Sequence, residues 1–220
     1  MSIASQIHSI SSTLPEGVRL VAVTKTQPSE VIMEAYKAGQ RLFGENRPQE
    51  LAQKVTQLPN DIEWHFIGHL QTNKVKMVVG KAHLIHAVDS ERLLAAIEKE
   101  AARQAIIAPC LLQVHIAQEE AKFGFSPEEL CDFLQSGILA AIPHVRIVGL
   151  MGMASFTENH EQVRREFRLL KQLFDRIKNT HFSSDKHFCE LSMGMSGDYL
   201  IAIEEGATLV RIGATIFGSR

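Results

Sequence analysis

Short apolar runs alternate with longer amphipathic stretches eight times over in 220 residues, which predicts an α/β fold of the closed (β/α)8 type. Eight units divide the chain into pieces of about 27 residues, close to the ~30-residue size of one βα repeat. No linker rich in Pro, Gly or Ser interrupts them, so residues 1–220 read as a single domain. The first strand-to-helix turn, Thr24-Lys25-Thr26-Gln27-Pro28, holds no glycine, whereas a doubly wound open sheet carries a glycine-rich one there.

The elements follow in order. An N-terminal helix with Ile3, Ile7, Ile10 and Leu14 on one stripe precedes the first strand, Val18 to Val23. The other strands are read at Arg41–Phe43, Ile62–Ile67, Leu84–Val88, Cys110–Ile116, Val145–Leu150, His187–Leu191 and Thr208–Ile212. Several are β-branched and almost continuously apolar, as strands covered on both faces are. Helical spacing marks Ser29 to Gly39, Ser90 to Gln104 and Thr157 to Lys178. Ser126-Pro127-Glu128-Glu129 combines an N-cap, a proline at the first helical position and a capping-box glutamate, and Gly137 closes that helix.

Composition excludes several classes of function. The formal net charge is −2, which disfavours nucleic-acid binding through bulk charge. No apolar run approaches the ~18–20 residues that cross a membrane. The N-terminus has neither a positive leader nor an apolar block, so no export signal is expected. Cys110, Cys131 and Cys189 are too few and too scattered for a disulfide framework, and a reducing, cytoplasmic compartment is expected.

A barrel of this kind places its chemistry at the C-terminal ends of the strands. Lys25 stands after the first strand, Gly44-Glu45-Asn46 after the second and Ser192-Met193-Gly194-Met195-Ser196-Gly197-Asp198 after the seventh. Arg211-Ile212-Gly213-Ala214 follows the eighth. Small residues in the last two loops let backbone amides approach an anion, with Ser196 as helix cap and phosphate-facing hydroxyl, or else they simply make tight turns. Lys25 in a partly desolvated mouth is an amine that condenses with a carbonyl; the plainer alternative is a lysine snorkelling to water. A reactive amine opposite a phosphate site suits pyridoxal phosphate, and equally an aldolase acting on a sugar phosphate. Arg211 has only donors, so beside a pyridine nitrogen it would leave the ring unprotonated; a carboxylate partner at the rim is the other reading.

The chain resembles the YggS/PROSC family of pyridoxal phosphate homeostasis proteins over essentially its whole length. Six blocks in order carry the resemblance: Val21 to Thr26, Phe43 to Asn46 with Gln49-Glu50, and Trp64 to Gly68 with Leu70 to Lys74, then Gly149 to Met153, Leu191 to Ser196 and Val210 to Gly213. The resemblance implies a monomeric barrel like the N-terminal domain of alanine racemase. It implies that Lys25 carries pyridoxal 5'-phosphate as a Schiff base, that Arg211 faces the pyridine nitrogen, and that Asn46 lies beside the ring. Met193 joins the cofactor-binding residues on the same ground, and Ser196 with the amides of Gly213 and Ala214 holds the phosphate. Family members buffer and deliver the cofactor, influence vitamin B6, amino-acid and keto-acid balance, and have no established turnover; apo-enzymes dependent on the cofactor are the implied transient clients. The departures are Arg47 where an aromatic is common, His69 at a variable position, and Ala121-Lys122-Phe123-Gly124 in place of Ser-Lys-Ser-Gly.

A weak cofactor-dependent enzyme acting on small amino acids is the alternative. Racemisation needs acid/base groups on both faces of the substrate, and relatives that racemise draw one from a second domain. The chain ends seven residues after Gly213, which leaves no such domain to be expected. Tyr36 reads as core and Tyr199 as packing or rim. His65 and His69 are four apart but separated by a strand-to-glycine turn, so no metal site is expected. Glu119-Glu120 and Arg164-Arg165 read as solvated charge, and Asn73 to Lys76 as a basic patch too small for nucleic acid.

Overall fold

A computed structural model describes residues 2–118 and 123–218. Eight parallel strands close into a barrel in sequence order: β1 (Arg19–Val23), β2 (Leu42–Glu45), β3 (Glu63–Phe66), β4 (Leu84–Val88), β5 (Ala108–His115), β6 (Val145–Met153), β7 (Glu190–Ser192) and β8 (Leu209–Ile212). Closure is made by β8 on β1, with Arg211 opposite Val21. The helices are α1 (Ile3–Ser11), ahead of the first strand, then α2 (Ser29–Lys37), α3 (Pro48–Gln57), α4 (Glu91–Gln104), α5 (Pro127–Gln135), α6 (His160–His181), α7 (Tyr199–Glu204) and α8 (Ala214–Phe217). A 3-10 turn, Thr72–Met77, takes the place of an α-helix after β3.

Local signals explain the helix ends. The α5 capping box forms as read, with Ser126 Oγ accepting from Glu129 N and Glu129 accepting from Ser126 N. Gly137 follows at φ 81, the left-handed conformation that releases the chain. Ser90 caps α4 and Asn159 caps α6. Ser196 does not cap α7: the helix starts two residues later behind Asp198, whose carboxylate is turned back to accept from Met195 N at 2.5 Å. The strand read from His187 begins only at Glu190. Asp185 accepts the amide of His187 at 2.8 Å and so bends the preceding chain out of register.

Strand β6 runs to Met153, three residues beyond its sequence reading, paired with β5 as far as His115↔Met153, and its register shifts between Cys110↔Ile147 and Leu111↔Gly149. Val148 is the extra residue of that bulge. A Cβ on Gly149 would lie 1.7 Å from the Glu190 carbonyl oxygen, so only glycine lets β7 pair at this point.

The main core lies between barrel and helices. There Phe43, Phe66, Phe167 and Phe188 are fully buried. A smaller apolar cluster of Val21, Leu84, Leu111, Met151 and Leu209 fills the barrel itself. Two residues further along their strands come His86 and Arg211, so the filling turns polar toward the C-terminal ends. Glu119 to Lys122 lie outside the described residues, and the two readings that fall on them stay there. None of the described helices is long and apolar enough to cross a membrane.

Candidate functional site

A cavity of about 380 Å³ opens at the C-terminal ends of the strands. Lys25, Asn46, Ser196, Arg211, Gly213 and Ala214 all line it, although they come from four separate βα connections. Met193 does not: its side chain is fully buried in the main core, and its amide donates to Leu209 O at 3.1 Å. The opposite wall comes from the β6–α6 connection, through Met153, Ser155, Phe156, Thr157 and His160. The sequence reading reached Met153 just past the sixth strand and passed over the residues after it. Their only signal was their position at the C-terminal end of a barrel strand.

Lys25 stands exposed at the mouth, as the plainer of its two sequence readings has it. Its neighbours are tightly held. Thr24 is fully buried, and its Oγ1 donates to Glu45 Oε1 at 2.6 Å. Lys54 Nζ reaches in from α3 to Thr24 O at 2.9 Å and Glu45 Oε1 at 2.6 Å. On the other side Thr26 N donates to Glu50 Oε2 at 2.7 Å. Thr26 sits at φ 60, a conformation a β-branched residue adopts only when its surroundings impose it. Burial raises Glu45 above the ordinary carboxylate range against the pull of Lys54 and Thr24. Burial also pushes Glu50 up, but the Thr26 amide and Lys54 outweigh it and bring Glu50 below its usual value. The sequence reading quoted Glu45 and Glu50 as motif residues; Lys54, four residues past Glu50 on one face of α3, is what joins them.

Arg211 is 4% exposed, and burial lowers its pKa to about 10 against the opposing charge of Asp198. Nη1 donates to Ser192 Oγ at 2.5 Å and Nη2 to Gly152 O at 3.0 Å. Its backbone amide donates to Gly194 O, and Gly194 takes φ 91 with Ala202 Cβ only 2.6 Å from where its own Cβ would be. Among the described residues no carboxylate hydrogen-bonds this guanidinium, so the rim ion pair is not what holds it. Arg47, on the outer side of the β2–α3 turn, pairs with Glu50 at 3.1 Å.

Asn46 projects from the end of β2, and its Oδ1 is buried without a partner among the described residues. Gly68 passes so close that a Cβ there would lie 2.3 Å from Asn46 O. The two tyrosines lie elsewhere. Tyr36 donates to Asp61 under the Arg41 guanidinium, and Tyr199 starts α7 packed against the core. His65 and His69 diverge: His65 turns into the barrel, and His69 pairs with Asp89 at 2.8 Å at the surface against the Phe123 ring.

An amine, a buried cation made only of donors, an unsatisfied amide oxygen and a glycine-lined loop bearing Ser196 make a site for an anionic carbonyl compound. The comparisons identify its class. The family model for the alanine racemase N-terminal domain matches residues 1–220. Pyridoxal phosphate homeostasis proteins are similar throughout: that of Aquifex aeolicus is 44% identical over 203 residues, covering 92% of this chain and 87% of the relative. The chain belongs to the pyridoxal phosphate homeostasis protein family. The human family member is 40% identical, covering 92% of this chain and 76% of its own length, and the Schizosaccharomyces pombe one is 39% identical, covering 99% and 90%. Among solved structures, PipY of Synechococcus elongatus without pyridoxal phosphate has a TM-score of 0.92 at 36% identity, covering 99% of this chain and 100% of that one. PipY with pyridoxal phosphate bound gives 0.88 at 35% identity over the same shares. Alanine racemase of Clostridium difficile shares the fold at a TM-score of 0.74 and 14% identity, with this chain covering 56% of it.

Proposed function

We propose that residues 1–220 act as one cofactor-binding domain that holds pyridoxal 5'-phosphate as a Schiff base on Lys25 and serves intracellular vitamin B6 homeostasis by buffering and delivering it. The observation that carries this reading is the meeting of Lys25, Asn46, Ser196, Arg211, Gly213 and Ala214 around one cavity in a member of this family. Bound there, the cofactor supplies an aldehyde for a primary amine and a ring whose electron demand depends on its nitrogen. Arg211, donor-only and fixed from behind, offers N–H groups to an unprotonated ring nitrogen, which keeps the ring a weak electron sink. Asn46 supplies an acceptor beside the ring, and Ser196 with the Gly213 and Ala214 amides binds phosphate oxygens. Met193 contributes by packing beneath the Ser196 loop.

The protein works as a monomer in the cytoplasm, with apo-enzymes as transient clients and no nucleic-acid or membrane partner. The three unpaired cysteines suit a reducing compartment. Mixing purified protein with pyridoxal phosphate is expected to give a yellow complex, and borohydride to fix the cofactor's mass on the peptide containing Lys25. Absence of colour, or label on another lysine, overturns the assignment. Arg211→Glu is expected to shift the absorption band to the red or weaken binding; an unchanged spectrum and affinity place Arg211 away from the ring. His160 and Asp198 line the same cavity and keep the enzymatic alternative in view. Sustained turnover of an amino acid favours it, and transfer to an apo-enzyme faster than free-cofactor release favours the carrier.

A further inference from the structure

Behind the cavity wall the barrel encloses a line of polar groups. Arg211 Nη1 donates to Ser192 Oγ at 2.5 Å, Ser192 Oγ lies 2.9 Å from His86 Nδ1, and His86 Nε2 lies 2.8 Å from His65 Nδ1. Ser192 and His86 are fully buried and His65 is 1% exposed. The line ends at His65 Nε2, buried and without a partner among the described residues.

A guanidinium only donates, and that sets the direction of every bond beyond it. Ser192 Oγ accepts from Arg211 and gives its own proton to His86 Nδ1. His86 is then protonated on Nε2 and donates to His65 Nδ1, which leaves the His65 proton on Nε2. In the opposite polarity the Ser192 hydroxyl proton has no acceptor among the described residues. Both imidazoles must be neutral for the line to be continuous. Burial drives them that way, taking His65 down to about 3 and His86 well below its usual value. The charged or titratable groups facing them add to this: His83 and Arg19 around His65, and His65, Arg211 and Arg19 around His86.

We propose that Ser192, His86 and His65 are positioning residues for Arg211, forming a one-way chain of dipoles that orients and solvates the buried guanidinium without neutralising it. A carboxylate in Ser192's place would pair with the cation and cancel the charge; oriented neutral dipoles stabilise the charge and leave it directed at the cavity. The chain itself rests on geometry alone, and its effect on the cofactor rests on the reading of Arg211 given above.

The test has two arms. In protein labelled with nitrogen-15 in histidine and carrying no cofactor, long-range proton–nitrogen spectra are expected to show His86 and His65 neutral and protonated on Nε2 from pH 8 to pH 5. A protonated ring, or the Nδ1 tautomer at His86, overturns the chain. In the second arm His86→Asn, which keeps an acceptor near Nδ1, is compared with His86→Leu, which removes it. Expected is a shifted cofactor band with about ten-fold to a hundred-fold weaker binding in the leucine variant, and a smaller loss in the asparagine variant, which keeps the acceptor for Ser192 and gives up only the reach to His65. Equal effects of both overturn a positioning role. If the leucine variant does not fold, the first arm decides on the native protein. If the native protein binds no pyridoxal phosphate, the proposed function fails while the first arm still judges the chain.

Discussion

Lys54→Met is expected to destabilise the protein by about 3–5 kcal/mol, because it strands a carboxylate in the interior. Glu45 is fully buried, and Lys54 is its only charged hydrogen-bond partner among the described residues. Without Lys54 the carboxylate keeps the Thr24 hydroxyl, and its Oε2 already lacks a partner. The same change removes one of the two donors to Thr24 O, leaving Gln27 N, and one of the two cations beside Glu50, leaving Arg47; Glu50 in turn holds Thr26 at its positive φ. Lys25 lies between those two threonines, so covalent capture of the cofactor is expected to slow by about a hundred-fold, the usual effect of a reactive group misplaced by about 1 Å. Lys54→Met with Glu45→Leu separates the two effects. Replacing both partners by apolar groups is expected to restore most of the stability, measured by urea unfolding. Capture by Lys25 is expected to stay slow, because the threonine clamp is still weakened. Recovery of both properties shows that the ion pair serves stability alone.

Gly68→Ala is expected to damage the site from a residue that does not itself line the cavity. The new Cβ would stand 2.3 Å from Asn46 O and 2.7 Å from Asn46 Cα. Ordinary contact begins near 3.5 Å, so the backbone of Asn46 must move by more than about 1 Å. Overpacking of this kind costs about 1–3 kcal/mol. Thermal melting is expected to show that loss, and cofactor titration a weakening of about a hundred-fold. Gly197→Ala is the control, since Gly197 lines the cavity with nothing within 4 Å of an added Cβ. If Gly68→Ala behaves like this control, the close approach does not position Asn46.

These two cases show where the sequence was legible. Phe43-Gly44-Glu45-Asn46 and Trp64-His65-Phe66-Ile67-Gly68 stood out as blocks through the family resemblance, and the strands could be located because apolar runs and turn residues are local signals. Why Gly68 must be glycine was not legible, since the atom it would strike belongs to another strand. The same holds for Ser196. Its residue type suits a helix cap, but Asp198 folds back to Met195 N and the helix begins later. Met193 shared a block with Ser196 and still points away from the cavity into the core, because it directly follows Ser192, the last residue of β7, whose side chain takes the barrel-interior face.

The sequence by itself determined eight strands in barrel order, the cap of α5, and the connections that bring Lys25, Asn46, Ser196 and Gly213 to the mouth. Those follow from periodicity of 2 and 3.6 and from the rule that barrel loops at one end carry the site. Only the tertiary structure decided that Lys54 braces the Lys25 turn, that the β6–α6 connection forms the far wall, and that Arg211 is backed by Ser192, His86 and His65. Closure is the reason. It brings Ser192 and His86, 106 residues apart, to within 2.9 Å across the barrel interior, a proximity that depends on strand stagger and not on any spacing along the chain.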